Sequence, residues 1–155
     1  MAKVILICGP ICCGKTTYAH RLRQEYKAVV LSMDEVMLAL WDPYLGDLHE
    51  LYAGRTRKWL LHKAEEIAIT GIDVILDWGP WTKAGREEVK TYFISRGIPC
   101  ELRGIRVDDK EWHRRIEARN SKADGTAYLV DDGLMQKFLS KYEAFTETEG
   151  QIIED

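Results

Sequence analysis

The sharpest chemical signal in the 155-residue chain is one octapeptide, Gly9-Pro10-Ile11-Cys12-Cys13-Gly14-Lys15-Thr16. It satisfies every fixed position of G-x-x-x-x-G-K-[ST], a phosphate-binding pattern. Its two glycines let the backbone turn tightly and approach an anion without a side chain in the way. The amides of such a loop, and of the helix it opens, point at phosphate oxygens. Lys15 is expected to reach the β- and γ-phosphates, Thr16 to offer its hydroxyl to Mg²⁺, and Thr17 to close the nucleotide-binding set. The chain is therefore expected to bind a nucleoside triphosphate. Cys12 and Cys13 are unusual occupants: either small fillers or, beside a helix N-terminus, oxidisable thiols of lowered pKa.

Phosphate binding alone does not name a reaction. Guanine recognition would call for N-K-x-D, but Asn120-Ser121-Lys122-Ala123-Asp124 carries one residue too many and follows a helical pattern. A motor ATPase calls for a larger domain. Phosphoryl transfer to a small acceptor instead needs a base, a carboxylate near the metal and a basic lid. Asp34, just past an apolar run, suits the base; its alternative is a helix cap, for which Ser32 is better placed. Asp77 ends Val74-Ile75-Leu76-Asp77, where a carboxylate holding Mg²⁺ belongs. Arg115 and Arg119 stand four apart on one helical face and suit the charge of a transferring phosphoryl group, or they pair with Glu111 and Glu117. Arg114 points elsewhere, toward solvent.

Other residues leave their readings open. Trp78 and Trp81 either stack on an acceptor ring or pack against core and lid. Arg86 faces the acceptor or pairs with an acid. His20, His49, His62 and His113 show no metal or nucleophile spacing and are expected on the surface or in packing. The segment 42–57 is too irregular for an element to be assigned, although its place after Asp34 suits acceptor recognition.

The elements that must position these residues alternate. Lys3–Cys8, Ala28–Leu31, Asp73–Leu76, Glu101–Val107 and Gln151–Glu154 read as strands. Helices are expected over Lys15–Tyr26, Asp34–Leu40, Glu50–Thr70, from Thr82 to Arg96, from Asp108 to Asn120 and from Asp131 to Phe145. The pattern predicts one α/β domain over 1–155, three-layered, with a mostly parallel sheet of about five strands and a short helical lid near 109–130.

Composition agrees. Hydrophobic residues make up 46% and charged residues 30% of the chain, which excludes a mainly disordered polymer. The formal charge of −3 excludes a nucleic-acid coat driven by bulk charge. Seven acids and two bases fall in residues 131–155, so the first 130 carry a slight basic excess. No apolar run is long enough for a membrane span, no signal-peptide pattern opens the chain, and the four cysteines lack paired spacing. A cytoplasmic protein with reduced thiols is expected, monomeric or a weak homodimer.

The cradle Gly9–Thr16, Ser32-x-Asp34, Val74–Asp77 and Arg115-Ile116-Glu117-Ala118-Arg119-Asn120 together resemble the P-loop kinases of the polynucleotide-kinase, zeta-toxin and chloramphenicol-phosphotransferase group. The chain looks most like their small bacterial kinase branch, often labelled AAA-family ATP-binding proteins. That resemblance covers nearly the whole chain and implies a nucleoside-kinase-like P-loop NTPase fold. It implies Asp34 as general base, Asp77 near the metal, and Arg115 and Arg119 in the lid, with ATP and Mg²⁺ serving transfer of the γ-phosphoryl group to a hydroxyl. Polynucleotide kinases carry an arginine three residues after the base, where this chain has Met37. A small, uncharged acceptor is thus favoured over a 5′-hydroxyl nucleic-acid end, which would have to use Arg55, Arg57, Lys58 and Lys63. A non-catalytic nucleotide sensor is the third reading; it would need neither Asp34 nor the arginine pair.

Overall fold

Strand β1 (Val4–Cys8) sits at the centre because all five of its residues are apolar and every one is buried. A strand covered on both faces cannot alternate with polar residues. The computed structural model describes residues 1–122 and 128–155. Around β1 it arranges β2 (Val29–Ser32), β3 (Val74–Asp77), β4 (Cys100–Arg106) and β5 (Gln151–Glu154) in the order β2-β3-β1-β4-β5. All four pairings are parallel, with Val4 opposite both Val74 and Cys100.

Alternate residues of β1 serve two cores. Ile5 and Ile7 pack with Tyr18, Ala19 and Leu22 of α1 (Lys15–Tyr26). Val4, Leu6 and Cys8 pack with Ala64 and Ala68 of α3 (His49–Ile69) and Val89 and Phe93 of α4 (Lys83–Ile94). Helix α2 (Met33–Leu40) lies beside α3, where the Thr56 hydroxyl meets Met37 Sδ at 3.3 Å. Met37 is buried, so the position at which polynucleotide kinases keep an arginine is here part of the packing.

Capping follows the side chains expected of it. Ser32, Thr82, Asp108 and Asp131 each accept a bond from the amide three residues on, opening α2, α4, α5 (Asp109–Ser121) and α6 (Asp132–Lys141). Two expectations need correction. The segment 42–57 is not irregular throughout: a 3₁₀ turn at Gly46–Leu48 leads directly into α3 at His49. Its buried stripe, Ala53, Thr56, Leu60, Ala64 and Ala68, is built mostly of small residues, and no side chain caps its start. Helix α6 also stops at Lys141, short of Phe145. Phe145 is needed elsewhere, against the bare Cα of Gly104, where an added Cβ would lie 2.1 Å from its ring. Part of the expected lid, residues 123–127, lies outside the described residues.

Candidate active site

The phosphate loop leaves β1 and enters α1 without any side-chain cap, and the first turn of α1 holds no acid. Its terminal amides are therefore left for an outside acceptor. Gly9, at φ +146, is required by space: a Cβ there would stand 2.6 Å from Cys13 Sγ and 3.1 Å from the Ile105 carbonyl. Pro10 and Ile11 lead to Cys12, which adopts φ +58, and Gly14 caps the helix at φ +97. Lys15 Nζ donates to the carbonyls of Pro10 (2.7 Å) and Gly9 (3.3 Å).

Helix α5 grips the outside of this loop by its carbonyls. Trp112 Nε1 donates to Ile11 O at 2.6 Å and Arg115 Nη1 to Cys13 O at 2.8 Å. Ile116 and Val130 cover Cys12. Satisfying the carbonyls outward keeps the amides free to converge inward.

Inside the loop's mouth lies a cleft of about 390 Å³, lined by Thr16, His20, Ser32, Asp34, Asp77 and Arg119 among others. Its walls come from the carboxyl ends of β2 and β3 and from α1, α2 and α5. Beside it the neighbouring strands β1 and β3 send their following helices to opposite faces of the sheet, and open α/β sheets bind ligands at such a reversal. Thr16 Oγ1 donates to Asp77 Oδ2 at 2.8 Å. Burial pushes the Asp77 carboxyl above its usual range, while the Thr16 bond and Lys15 oppose the rise. Asp34 occupies the second position of α2, but Ser32 takes the capping bond, accepting from Glu35 N at 3.3 Å. The Asp34 carboxylate is left to the cleft. Desolvation beside the cleft walls raises its pKa against the pull of Lys15, Arg119 and His49, although the residue keeps a solvent-exposed edge through the cleft mouth.

Arg119 and Arg115 part company. Arg119 lines the cleft, whereas Arg115 is held by Glu111 (3.0 Å), Asp155 (2.8 Å) and the Cys13 carbonyl. Arg114 is exposed, though paired with Glu111 at 2.7 Å. Arg86 does not face the acceptor: it is fully buried and bound to Glu149. Trp81 packs edge-on against Phe138 of α6, 5.3 Å between centroids, which selects lid packing for that indole. The idea of lowered thiol pKa values fails, because burial pushes both Cys12 and Cys13 up. Arg55, Arg57 and Lys58 are exposed on α3, outside the cleft lining, while Lys63 is bound to Glu66 at 2.6 Å.

Two contributors escaped the sequence. His20 lies one turn after Thr16 on α1 and so faces the same cleft; the i, i+4 spacing was the available signal. Asn120 ties the end of α5 to the segment before α6 by exchanging two bonds with Val130, 2.8 and 2.7 Å. No local pattern announces that contact.

Metal-binding chemistry fits what is present. Among the described residues no three His, Cys, Asp or Glu side chains form a metal cage. Thr16 and Asp77 supply two hard oxygens side by side, the sparse donor set that suits Mg²⁺ completed by phosphate and water.

Parallel sheet, uncapped phosphate loop and basic lid define a P-loop kinase fold. The chain belongs to the AAA_33 family, an AAA domain, whose model matches residues 4–145. Among solved structures, a sugar kinase from Janibacter sp. HTCC2649 superposes with TM-score 0.67 at 16% identity, covering 99% of this chain and 86% of that one. Kti12 of Chaetomium thermophilum, in complex with ADP-AlF3, gives 0.71 at 15%, covering 98% and 88%. The Pnkp1/Rnl/Hen1 RNA repair complex gives 0.73 at 16%, covering 90% of this chain and 43% of that one. At these identities the likeness is one of fold. No curated protein sequence matches the chain.

Proposed function

We propose that this chain is an ATP-dependent phosphotransferase that moves the γ-phosphoryl group to a hydroxyl of a small molecule, using one kinase domain over 1–155. The observation that carries the proposal is the convergence of Thr16, Asp34, Asp77 and Arg119 on one cleft beside the phosphate loop. The kinase fold of its structural neighbours supports the same reading.

In this mechanism the loop Gly9–Thr17, through its backbone N–H groups (Pro10 has none), and the Lys15 ammonium bind the phosphates. Thr16 and Asp77 would hold Mg²⁺, which would supply neutralisation of phosphate charge when bound. Asp34 Oδ accepts the proton of the acceptor hydroxyl as its oxygen attacks phosphorus; the bond to the β-bridging oxygen breaks and ADP leaves. Arg119 stabilises charge on the moving phosphoryl group. Arg115 acts through the loop, fixing the Cys13 carbonyl.

A broad metabolite and antibiotic phosphorylation screen tests the activity, and Asp34→Asn tests the base. Asn retains shape but cannot take the proton, so ATP affinity should persist while transfer falls about 10²–10⁴-fold. Transfer at the wild-type rate would remove Asp34 from the mechanism. A radiolabelled 5′-hydroxyl oligonucleotide is expected to remain unlabelled, since the basic residues Arg55, Arg57 and Lys58 lie outside the cleft lining.

A further inference from the structure

Gly79 follows the metal-side strand by two residues and is buried, with φ +52. A Cβ built on it would lie 2.8 Å from both Cδ and Cε of Lys15 and 3.5 Å from Nζ. The aliphatic stem of Lys15 therefore rests directly on the Gly79 backbone. On one side Lys15 is tethered to the Gly9 and Pro10 carbonyls; on the other it has this bare surface.

The loop carrying Gly79 is itself fixed from below. Arg86 Nη1 donates to Pro80 O and Trp81 O, each at 3.2 Å. Its remaining donors go to Glu149 Oε1 (2.7 Å) and Oε2 (3.2 Å) and to Ala144 O (3.5 Å). Glu149 is in turn bonded by Thr146 N at 2.9 Å. A buried ion pair is a poor source of net stability, because desolvation offsets its attraction. What this pair does provide is a fixed position for two successive carbonyls next to Gly79.

We propose that Gly79 is a positioning residue, the seat that holds Lys15 over the phosphate loop, and that the buried Arg86–Glu149 pair fixes that seat. The proposal rests on the reading of Lys15 as the phosphate-gripping residue. Any side chain at position 79 would displace the lysine stem, and loosening Arg86 would let the seat drift.

A double-mutant cycle tests it, using ATP affinity by calorimetry and thermal midpoints for wild type, Lys15→Ala, Gly79→Asn and the double variant. Asn accepts left-handed backbone, so its Cβ is the main perturbation. With Lys15 present, Gly79→Asn should weaken ATP by about tenfold or more; with Lys15→Ala the further loss should stay within about twofold. Its cost in thermal midpoint should likewise shrink when Lys15 is absent. Equal losses in both backgrounds, or no loss in either, overturn the seat. If Gly79→Asn folds only alongside Lys15→Ala, the clash is demonstrated; if it folds in neither background, the requirement is independent of Lys15 and the seat is overturned.

Arg86→Lys keeps a charge opposite Glu149 but loses the fork to two carbonyls. It should weaken ATP several-fold only when Lys15 is present, and unchanged ATP affinity removes Arg86 from the proposal. Wild type that binds no ATP would defeat the phosphate-gripping reading, while the thermal cycle still decides whether Lys15 sits on Gly79.

Discussion

Asp34 shows how a neighbour decides the role of a residue. By position it could cap α2, but the Ser32 hydroxyl already accepts the Glu35 amide, and the carboxylate lines the cleft instead. Desolvation raises its pKa, and a base works only when deprotonated. Catalytic efficiency with any acceptor the screen identifies should therefore climb with pH through a value above the ordinary aspartate range. A profile of kcat/KM whose acid limb lies at or below that range would contradict the assignment. The cysteines give the opposite lesson. Burial pushes the Cys12 and Cys13 thiols up, and Cys8 up to about 12, so little thiolate exists at neutral pH. Activity is expected to survive millimolar hydrogen peroxide for minutes. Rapid inactivation reversed by dithiothreitol would restore a redox role.

Between elements, single side chains tie together segments far apart in the chain. Arg86 ties α4 to the segment after β3 and to the segment before β5. Glu149 is held below the ordinary carboxylate range by the Arg86 guanidinium and the Thr146 amide, which overcome the opposing effect of burial. A depressed acid stabilises the fold above its unfolded pKa and loses that contribution as pH falls through its folded value. Glu149→Gln strands a buried guanidinium and should cost about 3–5 kcal/mol in urea unfolding at neutral pH. That deficit should narrow on acidification as wild type loses the same carboxylate. A deficit independent of pH would show that the ion pair is not its source. Helix α5 meanwhile holds the outside of the phosphate loop through Trp112 and Arg115.

For the whole molecule, the sheet order β2-β3-β1-β4-β5 does the decisive work. It makes β1 and β3 neighbours although about 65 residues separate them in sequence. That adjacency brings Thr16 and Asp77 to 2.8 Å. The metal-holding role proposed for them predicts that Asp77→Asn leaves the fold intact and raises the Mg²⁺ concentration needed for half-maximal turnover by about tenfold or more, as lost carboxylate ligation of a hard cation should. An unchanged Mg²⁺ requirement would take Asp77 away from the metal. Among the described residues no helix is long and apolar enough to cross a membrane.

Wherever the signal was local, the sequence by itself was enough. The phosphate loop announces itself because eight adjacent residues must satisfy one backbone geometry, and β1 because a central strand covered on both faces is apolar throughout. Caps at Ser32, Thr82, Asp108 and Asp131 were legible for the same reason: donor and acceptor lie three residues apart. Helix α3 was legible over Glu50–Thr70, whereas the 3₁₀ turn at Gly46–Leu48 that leads into it is too short to show a period. Tertiary structure alone decided between Arg115 and Arg119, equal in sequence, by giving one the Cys13 carbonyl and the other the cleft. It alone sent Arg86 to Glu149, 63 residues away, and laid Lys15 on Gly79. Such contacts join residues that are distant along the chain, and charge or size at one position does not reveal what the fold will bring against it.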